Sequence, residues 1–202
     1  MKDPKEEKKI LILEAARKIF AQYGFNKTTL DDIGGAVGMK KNSLYHYFSG
    51  KEEIFSELIK IEIEEFYKHV KKHLNKNASS AEKLVSLSKI ALHYDRERLN
   101  VYNASVMARL DIMDTLEDYF MDFIKKHSTI TGELLKEGIE RGEFIEHDHI
   151  ALSADIMEMI TSIKAREYQR HRTKNLDEIN YTQLEKIITN LMTVIVRGLK
   201  VK

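Results

Sequence analysis

The stretch Gly34–Phe48 reads GGAVGMKKNSLYHYF, and three of the chain's nine glycines fall within its first five positions. Two lysines, an asparagine and a serine follow, then a cluster of aromatics. Each glycine inside a helix costs about 1 kcal/mol relative to alanine. A chain otherwise rich in helix formers needs a reason to place them here, and the reason lies in what flanks them.

Upstream, Ile10, Leu13, Ala16, Ile19, Phe20 and Tyr23 recur at helical spacing, and Gly24 stops that helix. Thr28 or Thr29 is positioned as an N-cap, with Asp31 and Asp32 in the first turn where the helix dipole favours anions. Leu30, Ile33, Ala36 and Val37 make the buried stripe of a second helix that Gly38 ends. A third helix is predicted over about 41–47, with Leu44 and Tyr47 inward, and Ser49-Gly50 breaks it. A long fourth helix begins near Lys51 and carries Ile54, Phe55, Leu58, Ile63, Phe66 and Val70.

Three short helices with a tight glycine turn between the second and third describe a helix-turn-helix. In that motif the third helix enters the major groove and the second crosses the backbone. Gly38 supplies the left-handed turn that a residue with a Cβ resists. Gly34, four residues earlier, lies where the second helix meets the third and lets the backbones approach. Gly35 has no evident role. Lys40, Lys41, Asn42 and Ser43 open the third helix, where cations and short polar groups reach base edges. Tyr45 and His46 face outward and, with Thr28, Thr29 and Lys51, are candidate phosphate contacts. Phe48 closes the small core.

The sequence resembles the TetR family of transcriptional repressors. The resemblance rests on Ile12-Leu13-Glu14-Ala15-Ala16-Arg17-Lys18-Ile19-Phe20, Gly24-Phe25 and Thr28-Thr29-Leu30-Asp31-Asp32-Ile33. It continues through Val37-Gly38-Met39 and Leu44-Tyr45-His46-Tyr47-Phe48 to Lys51-Glu52, and covers about residues 8–60. A weaker echo is Glu137-Gly138-Ile139-Glu140-Arg141-Gly142-Glu143-Phe144, similar to the turn that precedes the family's dimerisation helices. Gly34 and Gly35 depart from the family's usual alanine and longer side chain, and Lys40 replaces the common serine cap. The resemblance implies an all-α homodimer of about nine helices. Its helix-turn-helix DNA-binding unit is expected at residues 1–50, and a ligand-binding and dimerisation body at 51–202. It further implies an inverted-repeat double-stranded DNA operator, a small-molecule effector in the body, and a bundle formed by the last two helices of each subunit.

Charge and composition agree with that division. Net charge is only +1, but residues 1–51 hold ten Lys/Arg against six Asp/Glu, while 52–202 hold 23 against 26. A basic head on a slightly acidic body suits an anionic partner for the head. The single proline, Pro4, stands in the N-terminal tail, and the absence of cysteine removes disulfides, thiol catalysis and Cys-ligated zinc. The charged N-terminus has no signal-peptide pattern, and no apolar run approaches the ~18 residues that span a bilayer. A cytoplasmic protein without membrane association is expected.

Past the break at Asn75–Ser80, helices are predicted at about 80–95, 97–111 and 115–141. A turn follows at Gly142-Glu143-Phe144, then a helix capped by Asp148 running to about residue 171, and a last helix over 181–200. An apolar effector pocket is expected between the helices of 80–141 and the one after Asp148. Its candidate walls are Leu87, Ile90, Tyr94, Tyr102, Val106, Met107, Leu110, Met113, Phe120, Phe123, Met157 and Ile160, since Met and aromatic walls suit adaptable apolar sites. The last helix has an apolar stripe too wide for an exposed helix. Leu184, Ile188, Leu191 and Ile195, with Ile156 and Ile163 before them, are the candidate dimer interface.

Other constellations read as ordinary surface. His69 and His73 stand four apart, but Lys68, Lys71 and Lys72 repel a cation and no third ligand completes a set. His147-Asp148-His149 reads as a solvated cap. No phosphate loop, nucleophile elbow or spaced carboxylate pair is present, so neither an enzyme nor a cofactor is expected. The alternative to a DNA-binding regulator is a helical small-molecule-binding or scaffold protein without DNA function.

Overall fold

The computed structural model describes residues 3–102, 117–170 and 179–201, except for the side chains of 98–102, 117–124 and 126–127. Within these residues the chain is all-α, with eight helices and one isolated antiparallel bridge, Phe144 to Lys200. The helices are α1 (Pro4–Tyr23), α2 (Leu30–Ala36), α3 (Lys41–Leu44), α4 (Lys51–His73), α5 (Ser80–Tyr102), α6 (Glu117–Glu140), α7 (His149–Arg170) and α8 (Tyr181–Leu199).

Local chemistry sets most of the boundaries. Asp3 caps α1 by accepting from the Lys5 N–H, and Pro4 occupies the first turn, where its missing N–H costs nothing. The single proline therefore starts a helix rather than lying in a tail. Ser79 and Glu82 form a reciprocal capping box at the start of α5. Asp148 accepts from the Ile150 and Ala151 N–H groups and starts α7. These bonds favour the ionised carboxylate and hold Asp148 and Glu82 below the usual carboxylate range.

One expected break is absent. The helices predicted at 80–95 and 97–111 begin as one continuous α5 that runs through Tyr102. No glycine or proline interrupts Ser80–Tyr102, and the charged run Arg96-Glu97-Arg98 is no breaker. His93 pairs with Glu97 one turn on.

Two apolar clusters organise the chain. The smaller joins Ile12, Ala16 and Phe20 of α1 to Phe25, Leu30, Ile33, Leu44 and Phe48, and takes Ile54, Phe55 and Leu58 from the start of α4. The larger takes Phe66 and Val70 from the far end of α4 and adds Leu84, Leu87, Leu135, Phe144, Ile156, Tyr168, Leu184, Ile188, Met192 and Val196. α4 therefore contributes its first turns to the head and its last turns to the body. In the head, Phe25 meets Phe20 and Phe55 at centroid distances of 5.6 and 5.1 Å. In the body, α6 reaches the turn at Gly142, and the absence of a side chain at Gly138 makes room for the Phe144 ring. Lys83, nearly buried, donates to Glu137, which also pairs with Arg141.

Candidate nucleic-acid interface

The turn between α2 and α3 is built from Thr29 to Leu44. Thr29 caps α2: its hydroxyl accepts from the Asp32 N–H, and the Asp32 carboxylate accepts from the Thr29 N–H at 2.8 Å and from its hydroxyl at 2.7 Å. Those two donors hold the Asp32 carboxyl below its ordinary range. At the other end Gly38 takes φ 68°, the left-handed region that side chains disfavour. The Gly34 carbonyl accepts from Met39 N at 2.8 Å, closing the turn. A Cβ on Gly34 would stand 2.5 Å from the Met39 carbonyl oxygen and 3.4 Å from a Leu44 methyl, whereas one on Gly35 would meet nothing within 4 Å. The two neighbouring glycines thus differ in kind.

Leu44, fully buried, anchors α3 against α1 and α2. The α-helical geometry covers only Lys41–Leu44, and the predicted continuation to 47 is a run of turns, with Tyr47 N and Phe48 N both donating to the Leu44 carbonyl. Lys40 begins the helix with no side-chain cap. Around this anchor Lys40, Lys41, Asn42, Tyr45 and His46 are exposed, Ser43 and Tyr47 are half-buried, and Phe48 is buried. The side chains of Lys40, Lys41, Asn42, Tyr45 and His46 make no hydrogen bond or ion pair with another described residue. Two cations, an amide, a phenol and an imidazole therefore share one open face.

Two of the expected phosphate contacts are instead structural. Thr28 is 1% exposed, and its hydroxyl donates to the Gly24 carbonyl at 2.7 Å. Lys51 donates to the carbonyls of Phe25 and Thr28 at 3.0 and 3.1 Å, with Asn26 further off, and lies over the Phe25 ring. Its charge is satisfied by the loop between α1 and α2. Thr29 is exposed, but its hydroxyl is committed to Asp32. Sequence spacing did not reveal these roles because the partners of Lys51 lie more than twenty positions away.

In the body, Leu87, Tyr94 and Met157 are buried and Ile90 and Ile160 half-buried, all in or against the larger cluster except Met157. Val106, Met107, Leu110 and Met113 lie outside the described residues, as do the side chains of Tyr102, Phe120 and Phe123. The expected dimer stripe requires a correction. Ile156, Leu184 and Ile188 are at most 2% exposed and belong to the subunit's own core, so they have no surface to offer a partner. Ile163 and Ile195 are half-buried, and Leu191 is exposed. The most exposed apolar residues of α7 and α8, Ile150 and Val194, escaped the sequence reading. The signal was there: the stripe on α8 is wide enough for two faces, and it was assigned to one.

Residues 12–58 match the family model of bacterial regulatory proteins, tetR family. Over 156 residues the chain is 24% identical to the fatty acid metabolism regulator protein of Bacillus subtilis, covering 76% of this chain and 79% of that protein. It is 28% identical over 138 residues to the HTH-type transcriptional repressor KstR2 of Mycobacterium tuberculosis, covering 66% of this chain and 67% of that one. Among solved structures, a transcriptional regulator from Cytophaga hutchinsonii superposes with a TM-score of 0.76 at 27% identity, over 98% of this chain and 100% of the other. The fatty acid degradation regulator FadR from Bacillus halodurans has the same fold, with a TM-score of 0.71 at 21% identity over 96% of both chains. With its capped α2, its left-handed turn at Gly38 and its anchored α3, the head matches the TetR family over residues 12–58, and the chain is similar to transcriptional regulators over most of its length.

Proposed function

We propose that the protein is a ligand-responsive repressor that binds an inverted-repeat operator as a homodimer and leaves it when an apolar or amphipathic effector enters the body. The observation that carries the reading is the open face of α3, where Lys40, Lys41 and Asn42 point to solvent while Leu44 beneath them is fully buried. A rigidly seated short helix with unengaged cations fits a major groove. In this reading Lys41, Asn42 and Ser43 read bases, and Lys40, Tyr45 and His46 hold phosphates. Residues 1–50 form the DNA-binding unit and 51–202 the effector and dimerisation unit, whose α4 packs its first turns into the core of the former.

Fatty acyl compounds are the effector class to test first, because two similar regulators are named for fatty acid metabolism and degradation. None of the described helices is long and apolar enough to cross a membrane, and the site of action proposed is the cytoplasm. Footprinting on genomic fragments tests the reading directly. Two protected half-sites about 34–36 Å apart, related by a dyad, are expected. Absence of protection even at low salt, where phosphate contacts are strongest, refutes it.

A further inference from the structure

Tyr94 of α5 is packed along three successive turns of α4. Its ring meets Phe66 at 5.3 Å and His69 at 5.1 Å, and its hydroxyl lies 3.4 Å from both the carbonyl oxygen and Oε2 of Glu62. The other carboxylate oxygen of Glu62, Oε1, stands 3.3 Å from the Arg17 guanidinium on α1. One carboxylate thus joins a body residue to a head residue, Tyr94 at Oε2 and Arg17 at Oε1. The Arg17 and Glu62 side chains are only 24% and 16% exposed, and Tyr94 8%. Partial burial shields the pair from the screening that weakens surface ion pairs.

We propose that Tyr94, Glu62 and Arg17 form a side-chain relay that couples the effector-binding body to α1 of the head. Its regulatory meaning rests on the function proposed above. Tyr94 is a candidate pocket wall, so a ligand that displaces its ring moves the hydroxyl away from Glu62. The Glu62 carboxylate then loses one of the donors that fix it, and the anchor that Arg17 of α1 holds on α4 is less firmly placed. The link acts through side chains that touch both helices. Coupling of this kind has substance only where a change at one end is felt at the other and disappears when the middle is cut.

Hydrogen exchange supplies that test without needing a ligand or DNA. Tyr94→Phe removes one hydroxyl and leaves the ring against Phe66 and His69. Exchange of the α1 amides around Arg17 is expected to quicken roughly two- to tenfold, the worth of an ordinary side-chain hydrogen bond, while the α6 and α7 amides stay unchanged. Glu62→Ala should do the same, and the double variant should exchange no faster than Glu62→Ala alone. Unchanged α1 exchange in Tyr94→Phe, or effects that simply add, overturns the relay. A gel-shift titration of the same variants on duplex DNA reads the functional reading separately. If the wild-type protein binds no duplex while α1 still answers to Tyr94, the relay stands and the repressor reading falls.

Discussion

The Lys51 ammonium sits 4.5 Å from the centroid of the Phe25 ring and 3.0 Å from the Phe25 carbonyl oxygen, although 26 positions separate the two residues. The contact fastens the first turn of α4 to the loop that leaves α1. It combines a charge-assisted hydrogen bond with a cation–π contact on a ring that is itself wedged between Phe20 and Phe55. Lys51→Met keeps the stem and removes the charge. It should destabilise the head by about 1.5–3 kcal/mol in chemical denaturation, the range for hydrogen bonds to charged groups. The slope of DNA affinity against salt should stay unchanged, since Lys51 does not meet phosphate. A slope reduced by about one unit would return Lys51 to the phosphate contacts.

Two adjacent glycines provide a contrast within one helix. Gly34→Ala places a methyl 2.5 Å from a backbone carbonyl that belongs to the turn itself, so the turn must shift. Overpacking of this kind costs about 1–3 kcal/mol, and α3 should lose its seat on α2. Gly35→Ala meets nothing within 4 Å and sits in helical backbone. It should stabilise the protein by about 0.4–1 kcal/mol through the lost freedom of the unfolded chain. Thermal unfolding of the two variants should move in opposite directions, with DNA binding weakened only in the first.

The contrast also marks what the sequence makes legible. Helix existence followed from periodicity, and the turn at Gly38 followed from glycine in a chain that otherwise avoids it. Helical phase separates Leu44 and Tyr47 from the exposed Tyr45 and His46, although Tyr47 is only half-buried. What failed turned on distant partners or on burial. Lys51 reads as a surface group because nothing local reveals the carbonyls it serves, whereas Thr28 turns back onto the Gly24 carbonyl only four residues away, and its misreading comes from burial that spacing does not show. Ile156, Leu184 and Ile188 were assigned to a partner because apolar periodicity reports burial without saying against what. The split placed in α5 arose from a charged run that a solvated helix face accommodates.

His69 gives the body a pH dependence with a definite sign. It lies half-buried, its ring 4.1 Å from that of His73 and 5.1 Å from that of Tyr94. Burial lowers its pKa from 6.5, and the charges of His73, His93 and Lys72 lower it further, while Glu97 opposes them. The unfolded chain therefore binds the proton more readily than the folded one. The contribution of His69 is fully present above about pH 6.5 and is lost as the pH falls below that value. Wild-type stability should decline between pH 7.5 and 5.5, and His69→Gln should flatten that decline. A parallel decline in both proteins assigns the proton uptake elsewhere.

The two apolar faces of α8 make separable predictions. Leu184, Ile188, Met192 and Val196 lie inward, and Ile188 is completely buried. Ile188→Ala should cost about 2–5 kcal/mol of the subunit's own stability, because it removes core volume. Leu191 and Val194, 37% and 68% exposed, border that buried stripe at the surface, where the proposed partner sits. Fully burying such a side chain is worth about 1.5–3 kcal/mol, and each substitution is repeated twice in a symmetric dimer. Leu191→Glu combined with Val194→Glu should thus leave the helical content intact and convert dimers to monomers in light scattering. Half-site affinity should then replace cooperative operator binding. A dimer mass that survives both charges moves the interface away from this face of α8 and leaves its apolar surface without an assigned partner.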